Sequence, residues 1–191
     1  NETCMSIVDC IREDKYVFSD ETILGIVVPT YFWRLPRIVA EYLDKLRTEN
    51  CGYTFFLASY GTTTGKSGSM AKEIMACHGQ KFDAYYSVIM PDTWTPVFDL
   101  TDKNRVDKRL SDGKKQLEIV INNIISKRKG DFIDRKLPKW VATIPAAVIG
   151  LLLYDWIDAH LYNGFVDIPK GYEHIYNIRI SYTDKIVEQI M

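Results

Sequence analysis

No two cysteines in this chain have a C-x-x-C spacing. Cys4, Cys10, Cys51 and Cys77 are the full set, and they stand too far apart to spell out a zinc site or an iron–sulfur cluster. Reduced thiols in a cytoplasmic protein are expected. Neither charge dominates: 24 Lys and Arg stand against 25 Asp and Glu, a net charge of -1. That balance provides no basic footprint, so nucleic acid is not an expected partner. The three histidines, His78, His160 and His174, fall in no ligand spacing. Asp155, Asp158 and His160 cluster in YDWIDAH, which an acidic helix end explains equally well. The N-terminal stretch lacks a basic run leading into an apolar core, so no secretory signal is expected. Long apolar runs are missing too. The most apolar segment, Trp140–Tyr154, is broken by Pro145 and Gly150 and is shorter than the roughly 18 to 20 residues of a membrane span.

What remains is an ordinary globular composition, 191 residues with 47% hydrophobic and 26% charged, enough for one sizeable core. Apolar runs of strand length appear at Thr3–Val8, Ile23–Pro29, Tyr53–Ser59 and Phe82–Met90,. Between them lie helical patterns. Leu35, Ile38, Val39, Tyr42, Leu43 and Leu46 share one helix face beside an early-turn proline, Pro36,. A second helix is expected from Ser69 to Cys77, stopping at Gly79,. A third carries Val106, Leu110, Leu117, Val120, Ile121, Ile124 and Ile125 along a stripe and ends near Gly130. Strands alternating with helices predict βαβ units, hence an α/β fold with a doubly wound parallel sheet whose ligands bind at the carboxyl ends of the strands. The expected division is 1–132 for this domain and 133–191 for a helical extension packed on it.

Two loops sit at such strand ends: Val28–Pro36, rich in aromatic residues, and Ser59–Gly68, within ASYGTTTGKSGSM. The Ser59–Gly68 loop has the outline of a nucleotide-binding P-loop. That motif needs four residues between its first glycine and the Gly-Lys-Ser, and only three separate Gly61 from Gly65. Its hydroxyls and glycines also suit the phosphate of a flavin at a helix N-terminus, although in flavodoxins such a loop follows the first, central strand.

The phrases GIVVPTYFWRLPRIVAEYLDKL, YTFFLASYG with its glycine-rich continuation, and FDAYYSVIMPDTWTP occur in order. Together, over about residues 21 to 132, they resemble the flavodoxin-like domain of a family of anaerobic electron-transfer proteins, in which that domain is often followed by a two-cluster ferredoxin domain. The resemblance implies a three-layer flavodoxin-like fold that binds FMN. It places Pro29, Thr30, Tyr31, Phe32 and Trp33 on one side of the isoalloxazine and Ser59, Tyr60, Gly61, Thr62, Thr63, Gly65 and Gly68 on the other. Aromatic faces such as Tyr31, Phe32, Trp33 and Tyr60 suit stacking on that flat ring, at about 0.5–1.5 kcal/mol per pair beyond area burial. The implied function is low-potential electron transfer, as a carrier or a small flavin-dependent oxidoreductase.

Other readings of the same residues stay open. Tyr31-Phe32-Trp33 suits a core or a docking patch, and Gly61, Gly65 and Gly68 suit turns that need positive φ. Lys66 and Arg34 read as solvated charges, and Asp92-Thr93-Trp94 as a third wall or as the close of the last strand.

The chain departs from the family in two places. Thr3–Val8 reads as the family's second strand, so the central strand and its phosphate loop are expected to be missing from this chain, unless a segment before Asn1 or another part of the chain supplies them. Beyond Gly130 there is no cysteine, so no ferredoxin cluster is expected in this stretch. The expected partner is a separate redox protein, a ferredoxin or a reductase. The 140–157 segment and a final helix, Ser181–Met191, would cover the sheet or form a homodimer surface. A flavodoxin-fold binding or assembly module without flavin is the alternative from another class, and nucleotide-phosphate binding at Gly61–Ser67 is a third.

Overall fold

A computed structural model describes residues 4–31, 33–92 and 100–134. Phe32, Thr93, Trp94 and the segments expected at 140–157 and 181–191 lie outside the described residues.

The elements are α1 (Ile7–Arg12), β1 (Val17–Ser19), β2 (Leu24–Pro29), α2 (Arg37–Lys45), β3 (Arg47–Glu49), β4 (Thr54–Tyr60), α3 (Ser67–Cys77), β5 (Ala84–Ile89), α4 (Lys103–Ile125) and β6 (Gly130–Phe132). β2, β4, β5 and β6 form a four-stranded sheet in that order, and β1 pairs with β3 in a two-stranded ribbon. Every pairing is parallel. The fold is α/β with helices on both faces of the main sheet, as the alternating pattern predicts.

β4 and β5 are buried along almost their whole length, so their side chains read as continuous apolar runs, as parallel strands covered on both faces do. Alternate residues divide the core. Ile26, Val28, Phe56, Ala58 and Tyr85 face Val39, Tyr42 and Leu43 of α2 and Ala71 and Met75 of α3. Phe55, Leu57, Tyr86 and Val88 face Leu117, Val120 and Ile124 of α4. Burying a side chain of this size stabilises the fold by about 1.5–3 kcal/mol.

The strand order advances steadily across the sheet while α4 lies on the face opposite α2 and α3. The β5-α4-β6 unit therefore has the opposite hand to the two units before it, against the usual rule. Without that exception one face of β4 and β5 would have no helix among the described residues. α4 closes tightly on β5: a Cβ at Gly113 would collide with the carbonyl oxygen of Ile89, and the Ile89 N–H donates to Gln116 Oε1 at 2.8 Å.

Helix ends follow local chemistry. α3 stops where Gly79 takes φ 67°; its N–H donates to the Ala76 carbonyl and that of Gln80 to Met75, the paired bonds of a glycine-terminated helix. One expectation fails. Residues read as a strand at Thr3–Val8 instead lead into α1, because Ser6 accepts the Asp9 N–H at 3.0 Å and caps a helix,. Ile7, Cys10 and Ile11, spaced three and four apart, then turn one face to the core beside α2,. The assignment of this segment as the family's second strand goes with it.

Candidate functional site

The carboxyl ends of β2 and β4 lie side by side, with Pro29 in register with Ser59. Just beyond, the Thr30 N–H donates to the Ser59 carbonyl at 2.8 Å. The chain after β2 then closes a tight turn in which the Tyr31 N–H donates to the Arg34 carbonyl at 3.0 Å and the Arg34 N–H to the Tyr31 carbonyl at 2.8 Å. Inside it Trp33 is held at φ 62°, a left-handed conformation that is unfavourable for a bulky residue and concentrates at binding sites.

The Ser59–Gly68 loop locks onto this turn. The Lys66 N–H donates to the Trp33 carbonyl at 2.7 Å, and Gly65, at φ 52°, packs so closely that a Cβ there would collide with the Trp33 backbone. Below them the buried hydroxyls of Ser67 and Thr30 are hydrogen-bonded at 3.1 Å. The structure thus brings together Pro29, Thr30, Tyr31 and Trp33 with Ser59, Gly65 and the start of α3. Tyr31 and Trp33 are half-buried at the strand ends.

Tyr60 behaves otherwise. It is 2% exposed, its hydroxyl donates to Asp134 Oδ2 at 2.6 Å, and burial, aided by that carboxylate, pushes its pKa well above the ordinary tyrosine value. It presents no ring face, so the stacking role expected of it is corrected to a core one. Gly68 is likewise filled, with Ile133 packed where a side chain would stand.

The remaining hydroxyls have partners within the chain. Thr64 donates to the Asp134 carbonyl at 3.0 Å, Thr63 accepts the Gly65 N–H at 3.2 Å, and Thr62 donates to Asp92 Oδ2 at 2.7 Å. Ile133 and Asp134 thus pack against α3 and the loop after β4, and the Asp134 N–H reaches back to Ser87 Oγ at 2.8 Å. Sequence reasoning missed Asp134 because its partners Tyr60 and Thr64 are 74 and 70 residues away.

Next to Gly61 and Thr62 a small cleft opens to solvent. Its apolar lining is Pro91, Leu100 and Val106, and Arg105 and Arg109, one turn apart on α4, stand at its edge with Asp92. Arg109 is fixed by donating to the Gly61 carbonyl at 3.1 Å. The i, i+4 spacing of the two arginines is visible in the sequence, but the loop they meet is not.

All four cysteines are free. Among the described residues there is no cluster of His, Cys, Asp or Glu that could hold a metal ion, and no helix is long and apolar enough to cross a membrane.

No family model, curated protein or solved structure matches the chain.

Proposed function

We propose that the chain binds FMN at the carboxyl ends of β2 and β4 and serves low-potential electron transfer in the cytoplasm, with a separate ferredoxin or reductase as partner. One observation carries the reading: the left-handed Trp33 turn is pinned to Gly65 and Lys66, so two loops at adjacent strand ends make one rigid, partly aromatic wall. Parallel sheets bind ligands at that edge, and strained backbone in such a place is characteristic of ligand clamps.

The residues fit the flat end of the cofactor better than its phosphate. Tyr31 and Trp33 offer apolar ring surface, and the backbone of Thr62 to Gly65 offers polar groups for the ring's edge. When bound, the flavin supplies the redox chemistry, and the protein contributes position and electrostatics. The hydroxyls of Thr62, Thr63, Thr64 and Ser67 are all engaged within the chain, so they are poor candidates for a phosphate cradle.

That same engagement favours an alternative reading, a binding or assembly module that keeps the fold without the flavin. Fluorescence titration with FMN, against riboflavin as control, separates the two. Quenching at micromolar FMN supports the flavoprotein, and absence of quenching by either compound leaves the scaffold, with the Tyr31–Arg34 turn as a docking surface.

A further inference from the structure

The cleft beside Gly61 adjoins the loop assigned above to the flavin, but two arginines give it a different chemistry. We infer that it is a phosphate-binding site, taking a phosphate monoester or pyrophosphate group on Arg105 and Arg109.

The two guanidinium groups are four residues apart on α4 and therefore on one face of the helix, both reaching the rim of the same cleft. Arg109 is oriented by its bond to the Gly61 carbonyl at 3.1 Å, which occupies only part of its five-donor fork. Arg105 is exposed and has no side-chain partner among the described residues. Guanidinium forks match phosphate oxygens in pairs, which distinguishes such a site from a diffuse positive surface.

Asp92 would oppose an anion, but its carboxylate already accepts the Thr62 hydroxyl at 2.7 Å and rests over Gly61, where a Cβ would strike it. The rim thus carries two cations against one committed anion. The N-terminus of α4 is itself capped by Asp102, whose carboxylate accepts the Arg105 N–H at 3.2 Å, so the attraction for an anion rests on the two guanidinium groups. Pro91, Leu100 and Val106 give the cleft an apolar lining beside the two guanidinium groups.

Such a group has two possible sources: the 5′-phosphate of FMN itself or a separate phosphorylated ligand. The site stands on its own geometry and survives if the flavin reading fails.

The test is a titration of the ¹⁵N-labelled full chain with inorganic pyrophosphate, followed by amide and arginine Nε signals. Shifts are expected at Gly61, Thr62, Asp92, Val106, Arg105 and Arg109. Arg105→Gln, a change at an exposed position, is expected to weaken binding by about tenfold or more, whereas Arg12→Gln on α1 leaves it unchanged. Shifts scattered over lysines elsewhere, or an affinity that Arg105→Gln does not alter, overturn the site.

FMN and riboflavin distinguish the sources. A preference for FMN that collapses in Arg105→Gln assigns the site to the flavin's own phosphate, while pyrophosphate binding that leaves bound FMN in place assigns it to a different ligand. Pyrophosphate binding without any FMN binding removes the flavin reading and keeps the site. FMN binding that Arg105→Gln leaves intact, with no pyrophosphate effect, removes the site and keeps the flavin.

Discussion

Tyr60 and Asp134 are joined by a 2.6 Å hydrogen bond across 74 residues of sequence, and that bond fastens the chain beyond β6 to the end of β4. Tyr60→Phe keeps the ring and removes the donor. It is expected to cost about 1.5–3 kcal/mol, as for a hydrogen bond to a charged group, measured by urea unfolding. Because the ring faces the core, the same variant is expected to leave FMN affinity unchanged. Trp33→Ala is expected to lower that affinity at least tenfold, and equal effects from the two variants would overturn the placement of the flavin.

Gly65 and Gly79 both have positive φ, but only Gly65 is pressed against another loop; a Cβ at Gly79 meets open space. Gly79→Ala is therefore expected to cost about 1 kcal/mol, the conformational penalty alone. Gly65→Ala adds a collision with the Trp33 backbone and is expected to exceed about 2 kcal/mol, toward the upper range for such strain. Denaturant midpoints of the two variants, read against the parent chain, separate the two contributions.

Acid stability is expected to depend on Asp83. Burial raises its pKa, but Lys129 and the N–H and hydroxyl of Thr54 hold the carboxylate and lower it by more, so the net shift is downward. A carboxylate lowered in the folded state contributes stability that is present above its unfolded pKa, about 3.9, and is lost as pH falls through the folded value. Asp83→Asn is expected to flatten the acid limb of a stability–pH curve. An unchanged limb would show that Asp83 has no part in it.

Alkaline stability has the opposite sign. Burial raises the pKa of Tyr42, Tyr53 and Tyr60, so their stabilising contribution is intact below the unfolded value of about 10 and is lost as pH rises beyond it. Tyrosinate absorbance is expected to appear together with loss of helical circular dichroism. Ionisation of these residues in a chain that stays folded would contradict their burial.

Much of this architecture is legible in the sequence because β2, β4 and β5 are apolar runs bounded by turn residues, and because α2 and α4 carry apolar stripes at helical spacing. Thr3–Val8 misleads because a run of six residues fits either period, and the deciding feature is the Ser6 cap. Tyr60 stands on a strand buried on both faces, so parity does not tell a buried ring from an open one, and an aromatic residue opening a glycine-rich loop points equally to ring stacking. The contacts of Asp134 and the closing of Arg109 on Gly61 depend on tertiary folding and leave no local sign.

The position of α4 also governs how the protein must be made. β2, β4 and β5 can pair and receive α2 and α3 once residue 89 has emerged from the ribosome, since each of those units closes on its predecessor. The other side of that sheet, with Phe55, Leu57, Tyr86 and Val88, gains its cover only when α4 is complete at Ile125. During that interval the nascent chain presents a bare apolar sheet, the kind of surface that aggregates or engages chaperones, and its yield in a cell will depend on how quickly one helix arrives.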